Sequence, residues 1–424
     1  MSRSTALIDG NNFYVACEQA IDPSLLGRPV IVLSNNDGCI VARSPEAREL
    51  GIPMGQPYFK VRRELEKLGV IARSSNYALY GDMSKRLMSL LSKHCEQIEI
   101  YSIDEAFAQI NRPPNSDLRP WARQLRALAH QNIGIPIAIG IGANKGQAKL
   151  ANRLAKTVST HAGIFDLCLT EDQDYWLKTI NIEHIWGIGN QFAKWCRLQG
   201  INTAQQLRDM PANQIRSKLG IAGIRLQHEL RGEACLPLKT ISPQKQQTCV
   251  SKSFGRPVTS LEEMHQAVST HVIRASEKLR RQNQRAAAIT VFTCTSAFTQ
   301  SFYDQSATTQ LDMPSNDTSV LLKASLILTQ QIFRPYHRLI KAGVIMKKLQ
   351  STDCLQLNFL NHYSPEVLKR RERLMQTIDN LNKHYGNDTV KWAAGVSNQS
   401  WEMRRKQLSC ATTTRINELP VVYS

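Results

Sequence analysis

The sequence lacks the features that mark several common protein classes. None of its ten cysteines forms a CxxC pair, which argues against a zinc ribbon. No apolar run approaches transmembrane length, and the apolar Leu7 and Ile8 are followed at once by Asp9 and two asparagines, unlike a signal peptide. Fixed-period repeats and low-complexity tracts are also absent. We therefore expect a cytoplasmic globular protein without membrane association, whose cysteines serve mostly as small core residues.

Acidic residues are scarce relative to basic ones. The 424 residues include 53 Lys and Arg against 35 Asp and Glu, which gives a formal net charge of +18. Such an excess favours nucleic-acid binding, because each phosphate contact releases a condensed counterion. A basic surface without a specific partner is the alternative that charge alone leaves open.

The order of predicted elements indicates an α+β multidomain protein. Strands and helices intermix up to about residue 165, which predicts an α+β or α/β first unit, and the chain from 180 to 232 is helical with several glycines. A polar segment with two prolines, 236–247, is typical of a linker. The chain from 248 to 347 then predicts strands and helices in the order βαββαβ, the ferredoxin-like split pattern.

Three acidic residues stand at or near strand ends in the first part of the chain. Asp9 ends a short apolar strand, and Asp104 and Glu105 lie inside a predicted hairpin, 98–110. Adjacent acids in a buried hairpin are costly unless a cation neutralises them, and phosphoryl transfer uses carboxylates to hold divalent metal. In a regular strand the two would face opposite ways, so a tight hairpin tip is needed to bring both to one site. Ordinary turn carboxylates are the alternative.

The motif around these acids resembles a Y-family DNA polymerase, and more closely the UmuC type, the catalytic subunit of DNA polymerase V and its plasmid-borne relatives. The resemblance spans nearly the whole chain and depends on the order and spacing of several motifs together. The motifs are SNNDGC at 34–39, SSNY at 74–77, IEIYSIDEAF at 98–107, WGIG at 186–189, ELRGE at 229–233, SKSFG at 251–255, Trp401 and TTTR at 412–415.

The resemblance implies a right-hand polymerase with a ferredoxin-like palm, small fingers, a helical thumb with a helix-hairpin-helix turn, and a βαββαβ little finger. The domains it implies are a palm at 1–18 and 78–165, fingers at 19–77, a thumb at 166–236, a linker at 237–247, a little finger at 248–350 and a C-terminal extension at 351–424. The implied activity is error-prone, template-directed nucleotidyl transfer from a dNTP to a primer 3′-hydroxyl during SOS DNA damage tolerance and mutagenesis.

The resemblance also implies roles for residues of the palm and fingers. Asp9, Asp104 and Glu105 match the acids that hold two Mg²⁺ ions, with the backbone carbonyl of Gly10 as a further ligand. Tyr14 matches the aromatic steric gate that excludes ribonucleotides. Two basic residues match those that bind the incoming triphosphate, Arg48 and Lys156.

Two further features predict contacts with DNA. Gly187 and Gly189 precede a helix, and their backbone N–H groups could approach a phosphate without obstruction, although a plain helix–helix turn is the alternative. A basic cluster at the end of a long helix predicts a clamp on the duplex backbone, although charge runs are usually solvated faces. The cluster consists of Lys278, Arg280, Arg281 and Arg285.

The C-terminal extension contains a peptide that resembles the clamp-binding motif of bacterial polymerases. It comprises Gln356, Leu357, Phe359 and Leu360, with Phe before Leu where the common order is the reverse. A short buried strand that anchors the tail is the alternative, and the two interpretations are evenly weighted. The resemblance further implies a processed UmuD-like dimer and RecA as partners, besides primer-template DNA and the sliding clamp.

Two other functions compete with this one at the level of the sequence. A palm-type nucleotidyl cyclase has a similar two-metal fold, but needs neither a helix-hairpin-helix thumb nor a charge of +18. A catalytically silent DNA-binding subunit would have no reason to retain Asp9, Asp104 and Glu105.

Overall fold

The structure is a computed structural model. It describes residues 2–113, 116–169, 172–241, 243–299, 301–352, 365–386, 388–395, 401–410, 412–413 and 418. The chain forms two compact units, of which unit 1 comprises Met1–Ser34, Gly38–Ser242 and Gln407–Ser424, and unit 2 comprises Asn35–Asp37 and Pro243–Lys406. The boundary between Ser242 and Pro243, where the chain passes from unit 1 to unit 2, falls inside the predicted linker 237–247.

Unit 1 contains the intermixed strands and helices and the helical segment that the sequence predicts. In chain order its elements are β1 (Ser2–Gly10), α1 (Phe13–Ile21), β2 (Val30–Leu33), β3 (Ile40–Arg43), α2 (Pro45–Glu49), α3 (Tyr58–Lys67), β4 (Ile71–Ser74), α4 (Tyr77–His94), β5 (Gln97–Ile100), β6 (Glu105–Arg112), α5 (Arg119–Ile133), β7 (Ile137–Gly142), α6 (Lys145–Thr157), β8 (Ile164–Asp166), α7 (Gln173–Thr179), α8 (Asn190–Leu198), α9 (Ala204–Asp209) and α10 (Ala212–Leu230).

A five-stranded sheet in the order β5-β6-β1-β7-β8 forms the centre of unit 1. Side chains of β1 alternate between its two faces. Ala6 and Ile8 pack in the large core with residues of α1, α4 and α5. Leu7 packs on the other face with Phe107 of β6 and Ala148 of α6. The alternation therefore directs Asp9, two residues after Leu7, to the face that α6 covers.

Helix α6 lies very close to this sheet because β7 has no side chain at Gly140. A Cβ atom there would lie 1.9 Å from the backbone nitrogen of Asn152. The side-chain amide of Asn152 donates to the carbonyls of Leu7 and Ala138, at 3.3 and 3.0 Å, which fixes the helix over β1 and β7. A three-stranded sheet, β3-β2-β4, completes the strands of unit 1.

The helical segment is joined to α6 through one buried carboxylate. Glu229 near the end of α10 accepts from the backbone N–H of Gly146, in the first turn of α6, at 2.7 Å. Its other oxygen accepts from the backbone N–H groups of Cys235 and Leu236. A carboxylate at a helix N-terminus is stabilised by the free N–H groups and the helix dipole. The ELRGE motif thus holds α10 against α6.

Unit 2 confirms the predicted βαββαβ order and also contains a helix of the C-terminal extension. Its elements are β9 (Thr248–Val258), α11 (Leu261–Arg281), β10 (Gln284–Cys294), β11 (Asp304–Ser315), α12 (Thr318–Ile332), β12 (Leu339–Ser351) and α13 (Pro365–Tyr385). The strands form an antiparallel sheet in the order β11-β10-β12-β9. Across both units, the helices of the described segments are all too short or too polar to cross a membrane.

Candidate active site

Two of the three predicted acids lie side by side on neighbouring strands. β1 pairs with β6 in antiparallel register, and Asp9 is directly opposite Glu105. Residues directly opposite each other in an antiparallel pair project to the same face of the sheet. The two carboxylates therefore share the face that α6 covers, at the end of the central strand.

The third acid lies in the tight turn that the sequence predicts between β5 and β6. The Ser102 hydroxyl organises this turn: it donates to the Asp104 carboxylate at 2.5 Å and accepts from the Glu105 backbone N–H at 3.0 Å. The backbone N–H of Gly10 donates to the Asp104 carbonyl at 2.9 Å. The end of β1 and the turn are thus fixed to each other, and Asp104 lies beside the other two acids.

Helix α6 presents lysines to these acids. The Lys149 ammonium lies 2.7 Å from a Glu105 oxygen, and the Lys156 ammonium lies 2.6 Å from an Asp9 oxygen. A third, buried pair joins Lys145 to Glu99 of β5. The three lysines recur at intervals of four and seven residues, which places them on one face of a helix.

Burial dominates the electrostatics of Asp9. It raises the pKa of this carboxyl to about 6, against the opposing effect of the nearby Lys156, while the negative charges of Glu105 and Asp104 raise it further. Burial and the two neighbouring acids disfavour the charged form of Asp9. A bound cation would stabilise that charged form, so this arrangement of acids favours cation binding.

The donor set suits a hard divalent cation. All the candidate ligands are oxygens, the type that Mg²⁺ prefers, and Mg²⁺ needs few of them from the protein. Within the described residues, no group of three or more His, Cys, Asp or Glu side chains is arranged so that it could hold a metal ion by itself. Lys149 and Lys156 instead supply positive charge at the carboxylates. The residues therefore fit a metal site that is completed by substrate oxygens and water.

Tyr14 lies on α1, five residues after Asp9, and packs in a cluster of three tyrosines. Its ring stacks on that of Tyr80 with a centroid separation of 4.5 Å and an interplanar angle of 15°. The ring of Tyr77 meets it edge-on at 6.1 Å. A ring held on two sides can act as a fixed wall of a pocket.

The predicted triphosphate-binding residues both reach the end of β1. Lys156 contacts Asp9, as described above. The Arg48 guanidinium donates to the side-chain oxygen of Asn12 at 2.8 Å, and Arg48 is otherwise exposed. The structure therefore gathers Asp9, Tyr14, Arg48 and Lys156 around one strand end.

The glycines of the WGIG motif are exposed in the helical segment. Gly187 has a φ of 92°, a conformation that favours glycine, and Gly189 is the N-cap of α8 with open space around it. The adjacent Trp186 donates from its indole N–H to the Tyr101 hydroxyl at 3.2 Å. The turn is therefore attached to the hairpin that carries Asp104, while within the turn the Ile188 N–H donates to the Ile185 carbonyl at 3.0 Å.

The basic cluster at the end of α11 divides into two pairs. Lys278 and Arg281 are exposed. The Arg280 guanidinium forms a bidentate ion pair with the Asp379 carboxylate of α13, with N–O distances of 2.6 and 2.7 Å. Arg285 pairs with Glu372 of the same helix. The sequence predicts that all four residues contact the DNA backbone. Arg280 and Arg285 instead hold α13 in place, so the exposed Lys278 and Arg281 remain the candidates for contact with DNA.

The predicted clamp-binding peptide, 356–360, lies outside the described residues. The role of Gln356, Leu357, Phe359 and Leu360 therefore stays a prediction.

Comparisons with known proteins identify the family of this chain. Residues 8–153 match the family model described as impB/mucB/samB family, residues 245–359 match its C-terminal domain, and residues 372–422 match a domain of unknown function, DUF4113. The protein UmuC of Salmonella typhimurium strain LT2 is 40% identical over 98% of this chain and 99% of its own length. The protein SamB of Salmonella typhimurium is 39% identical over 98% of each chain.

Solved structures give the same fold. A Y-family DNA polymerase chimera of Dbh and Dpo4 aligns with a TM-score of 0.66 and 20% identity, over 82% of this chain and 99% of its own. The insertion ternary complex of Dbh DNA polymerase aligns with a TM-score of 0.56 and 21% identity, over 82% and 99%.

The solved structures show the fold of Y-family DNA polymerases, and the family models together with the two relatives define that class for this chain. Within that class the chain belongs to the impB/mucB/samB family, the UmuC-type enzymes of error-prone translesion synthesis. The match to these relatives extends over 98% of the chain rather than over a single two-metal domain, so the nucleotidyl cyclase alternative is wrong.

Lys149, Ser102 and Asn12 are site residues that the sequence reasoning missed. The spacing of Lys149 and Lys156, seven residues or about two helical turns apart, is the signal that could have found the first. Ser102 and Asn12 carry no periodic signal, because their roles depend on the geometry of a turn and a strand end.

Proposed function

We propose that the protein extends a primer across damaged template DNA through two Mg²⁺ ions held by Asp9, Asp104 and Glu105. The observation that supports this most directly is the direct pairing of Asp9 with Glu105 on one face of the sheet, with the Asp104 turn bonded to the end of β1. The Gly10 carbonyl would be a further ligand. When bound, the ions would stabilise the charge that develops on the transferred phosphoryl group.

The chain's own residues would orient the nucleotide. Lys156 would exchange its contact with Asp9 for the triphosphate, and Arg48, which is exposed beside Asn12, would bind the same group. The Tyr14 ring would lie beneath the sugar and leave no room for a 2′-hydroxyl. Lys149 would hold Glu105 in place and supply positive charge before the cation arrives.

Contacts with the DNA backbone would come from both units. The exposed backbone at Gly187 and Gly189 would bind a phosphate at the N-terminus of α8. In unit 2, exposed Lys278 and Arg281 would contribute counterion release. Arg280 and Arg285 would act indirectly, through α13.

Partners would raise the activity of an enzyme with few contacts to the nascent base pair. The family resemblance motivates a processed UmuD-like dimer and RecA with ATP as activating partners, and the sliding clamp as a tether through the peptide at 356–360. A tether raises the effective concentration of the enzyme at the primer end.

Primer extension on a template with one abasic site tests the proposed function. We expect insertion opposite the lesion with Mg²⁺, stimulated by the processed dimer and by RecA with ATP. Chelation of the metal should stop it. Failure to extend even undamaged primer-templates with all partners present would refute the proposal.

Double replacement Leu357→Ala and Phe359→Ala tests the tether. Extension without clamp should stay at the wild-type rate, and stimulation by clamp should disappear. A fall of both activities together with a lower melting temperature would instead support the structural alternative.

A further inference from the structure

The Tyr80 ring, which stacks on Tyr14, is itself held in place by a hydrogen bond to a buried carboxylate. Tyr80 of α4 is fully buried and stacks on Tyr14 at 4.5 Å. Its hydroxyl donates to the Glu18 carboxylate at 2.7 Å. Stacking fixes the distance between two rings but lets them slide, so the hydrogen bond is what sets the lateral position of the Tyr80 ring.

Glu18 is an unusual anchor because it is a fully buried carboxyl. Burial is the main cause that raises its pKa, and the hydrogen bonds from Tyr80 and Ser409 oppose that rise. One oxygen receives both hydroxyls, whereas the other oxygen has no hydrogen-bond partner in the described part of the structure. The position of this carboxyl therefore depends on two donors.

The second donor belongs to the far C-terminal part of the chain. The Ser409 hydroxyl lies 3.2 Å from the Glu18 oxygen and accepts from the Asn76 side-chain amide at 3.0 Å. Two residues earlier, Gln407 exchanges hydrogen bonds with Ser74 at the end of β4: its carbonyl accepts from the Ser74 backbone N–H, and its own N–H donates to the Ser74 hydroxyl.

These contacts give a role to the SSNY motif. Ser74 and Asn76 bind the C-terminal segment, and Asn76 also caps α4 by accepting from the Leu79 N–H. Helix α4 carries both Tyr77 and Tyr80, the two rings around Tyr14. A chain of contacts therefore runs from residues 407–409, within the region that matches the domain of unknown function, to the ring of Tyr14.

We infer that the segment 407–409 is a positioning element for sugar selection, acting through Ser409, Glu18 and Tyr80 on the ring of Tyr14. The inference rests on the proposed role of Tyr14. Without the Ser409 hydroxyl the buried carboxyl keeps one donor, so Tyr80 and Tyr14 gain freedom to move and a ribose fits more easily. The Ser409 hydroxyl contacts Glu18 and Asn76, so its effect on Tyr14 is indirect.

The test compares kcat/KM for a ribonucleotide and for the matching deoxyribonucleotide in the full-length enzyme. Ser409→Ala and Tyr80→Phe should each raise the ribonucleotide-to-deoxyribonucleotide ratio about two- to ten-fold, the range that one lost hydrogen bond implies. Ser409→Thr, which keeps the hydroxyl, should restore the wild-type ratio. Tyr14→Ala should raise the ratio far more.

A double-mutant cycle distinguishes an effect of Ser409 through Tyr14 from a general loss of structure. Because Ser409 acts through Tyr14, Ser409→Ala should add nothing to the ratio in a Tyr14→Ala background. The matched control is Ser306→Ala, at an exposed serine of β11, and it should leave the ratio unchanged.

Three outcomes would overturn the inference. An unchanged ratio in Ser409→Ala and Tyr80→Phe, beside a large rise in Tyr14→Ala, would leave the gate in place and remove the C-terminal segment from it. An equal loss of activity with both nucleotides would mean that the segment is merely structural. An unchanged ratio in Tyr14→Ala would refute the proposed gate and, with it, this inference.

Discussion

Helices α6 and α11 are both basic, yet their charges have different partners. On α6, Lys145, Lys149 and Lys156 each meet a carboxylate of the palm sheet, and two of those carboxylates are candidate metal ligands. On α11, Arg280 meets a carboxylate of another helix, while Lys278 and Arg281 remain exposed. The comparison shows that the role of a run of charged residues depends on the surface against which its helix face packs. Composition does not reveal that surface.

The largest expected effect concerns the acids opposite α6. Glu105→Gln keeps the size of the side chain but removes its negative charge, so a metal ligand is lost. We expect primer extension to fall roughly a thousand-fold or more, because metal binding contributes several kcal/mol of transition-state stabilisation. Single-turnover insertion kinetics measure this, with DNA affinity as the control that should change little. Insertion within ten-fold of wild type, where ~1.4 kcal/mol is a factor of ten, would exclude Glu105 as a ligand.

The next effect concerns the stability of unit 2. Arg280→Ala removes the two-pronged pair with Asp379 and the bonds to Asn316 and Thr318. Asp379 is partly exposed and can regain water, so we expect a loss of about 1–3 kcal/mol in the free energy of unfolding rather than the larger cost of a fully buried charge. Denaturant unfolding measures it.

The matched control for this loss is the neighbouring Lys278→Ala. Because Lys278 is exposed, its removal should change the stability by no more than about 0.5 kcal/mol. Equal effects of the two variants would show that Arg280 does not hold α13.

A smaller effect separates the exposed members of the cluster. Lys278→Glu and Arg281→Glu should each weaken binding to duplex DNA irrespective of sequence and flatten the plot of log affinity against log salt by about 0.9 per lost phosphate contact. Lys67→Glu, at an exposed lysine of α3, is the charge-matched control and should leave the slope unchanged. A slope equal to that of wild type in both cluster variants would place them on a free surface.

The smallest effect concerns Lys149. Its ammonium neutralises Glu105 and lies 4.7 Å from the Tyr101 ring centroid, so it stabilises the metal-free protein. Lys149→Met should destabilise that form by about 1 kcal/mol, and Mg²⁺ should restore part of the loss. Thermal melting with and without chelator measures both. A variant whose melting temperature gains no more from Mg²⁺ than the wild type does would show that the lysine and the cation do not substitute for each other.

Much of the fold could be predicted from the sequence because its elements are locally encoded. The short apolar strand that ends at Asp9, the turn between β5 and β6, and the βαββαβ order follow from apolar runs, hydrophobic period and turn residues, and the structure confirms them. The boundaries of unit 2 could not be predicted, because Asn35–Asp37 joins it through long-range contacts: the Asn36 amide donates to carbonyls of β9, and its oxygen accepts from the Arg404 backbone N–H.

Part of the candidate site, like part of the fold, could be predicted from the sequence. Asp9, Asp104 and Glu105 could be selected from strand ends and a motif. The use of Arg280 and Arg285 could not, because a sequence shows that arginines are present and not that Asp379 and Glu372 lie opposite them. The route from Ser409 to Glu18 was likewise invisible, since it joins residues 391 positions apart.

The most direct test is single-nucleotide insertion opposite an abasic site, measured side by side for Asp104→Ala and Arg280→Ala at a temperature where both are folded. The account predicts that Asp104→Ala loses insertion while still binding primer-template DNA. It predicts that Arg280→Ala inserts at a rate close to wild type, because that arginine holds α13 and touches no reacting atom. Near wild-type insertion by Asp104→Ala would contradict the central claim that the acids at the end of β1 and in its neighbouring turn carry the polymerase chemistry.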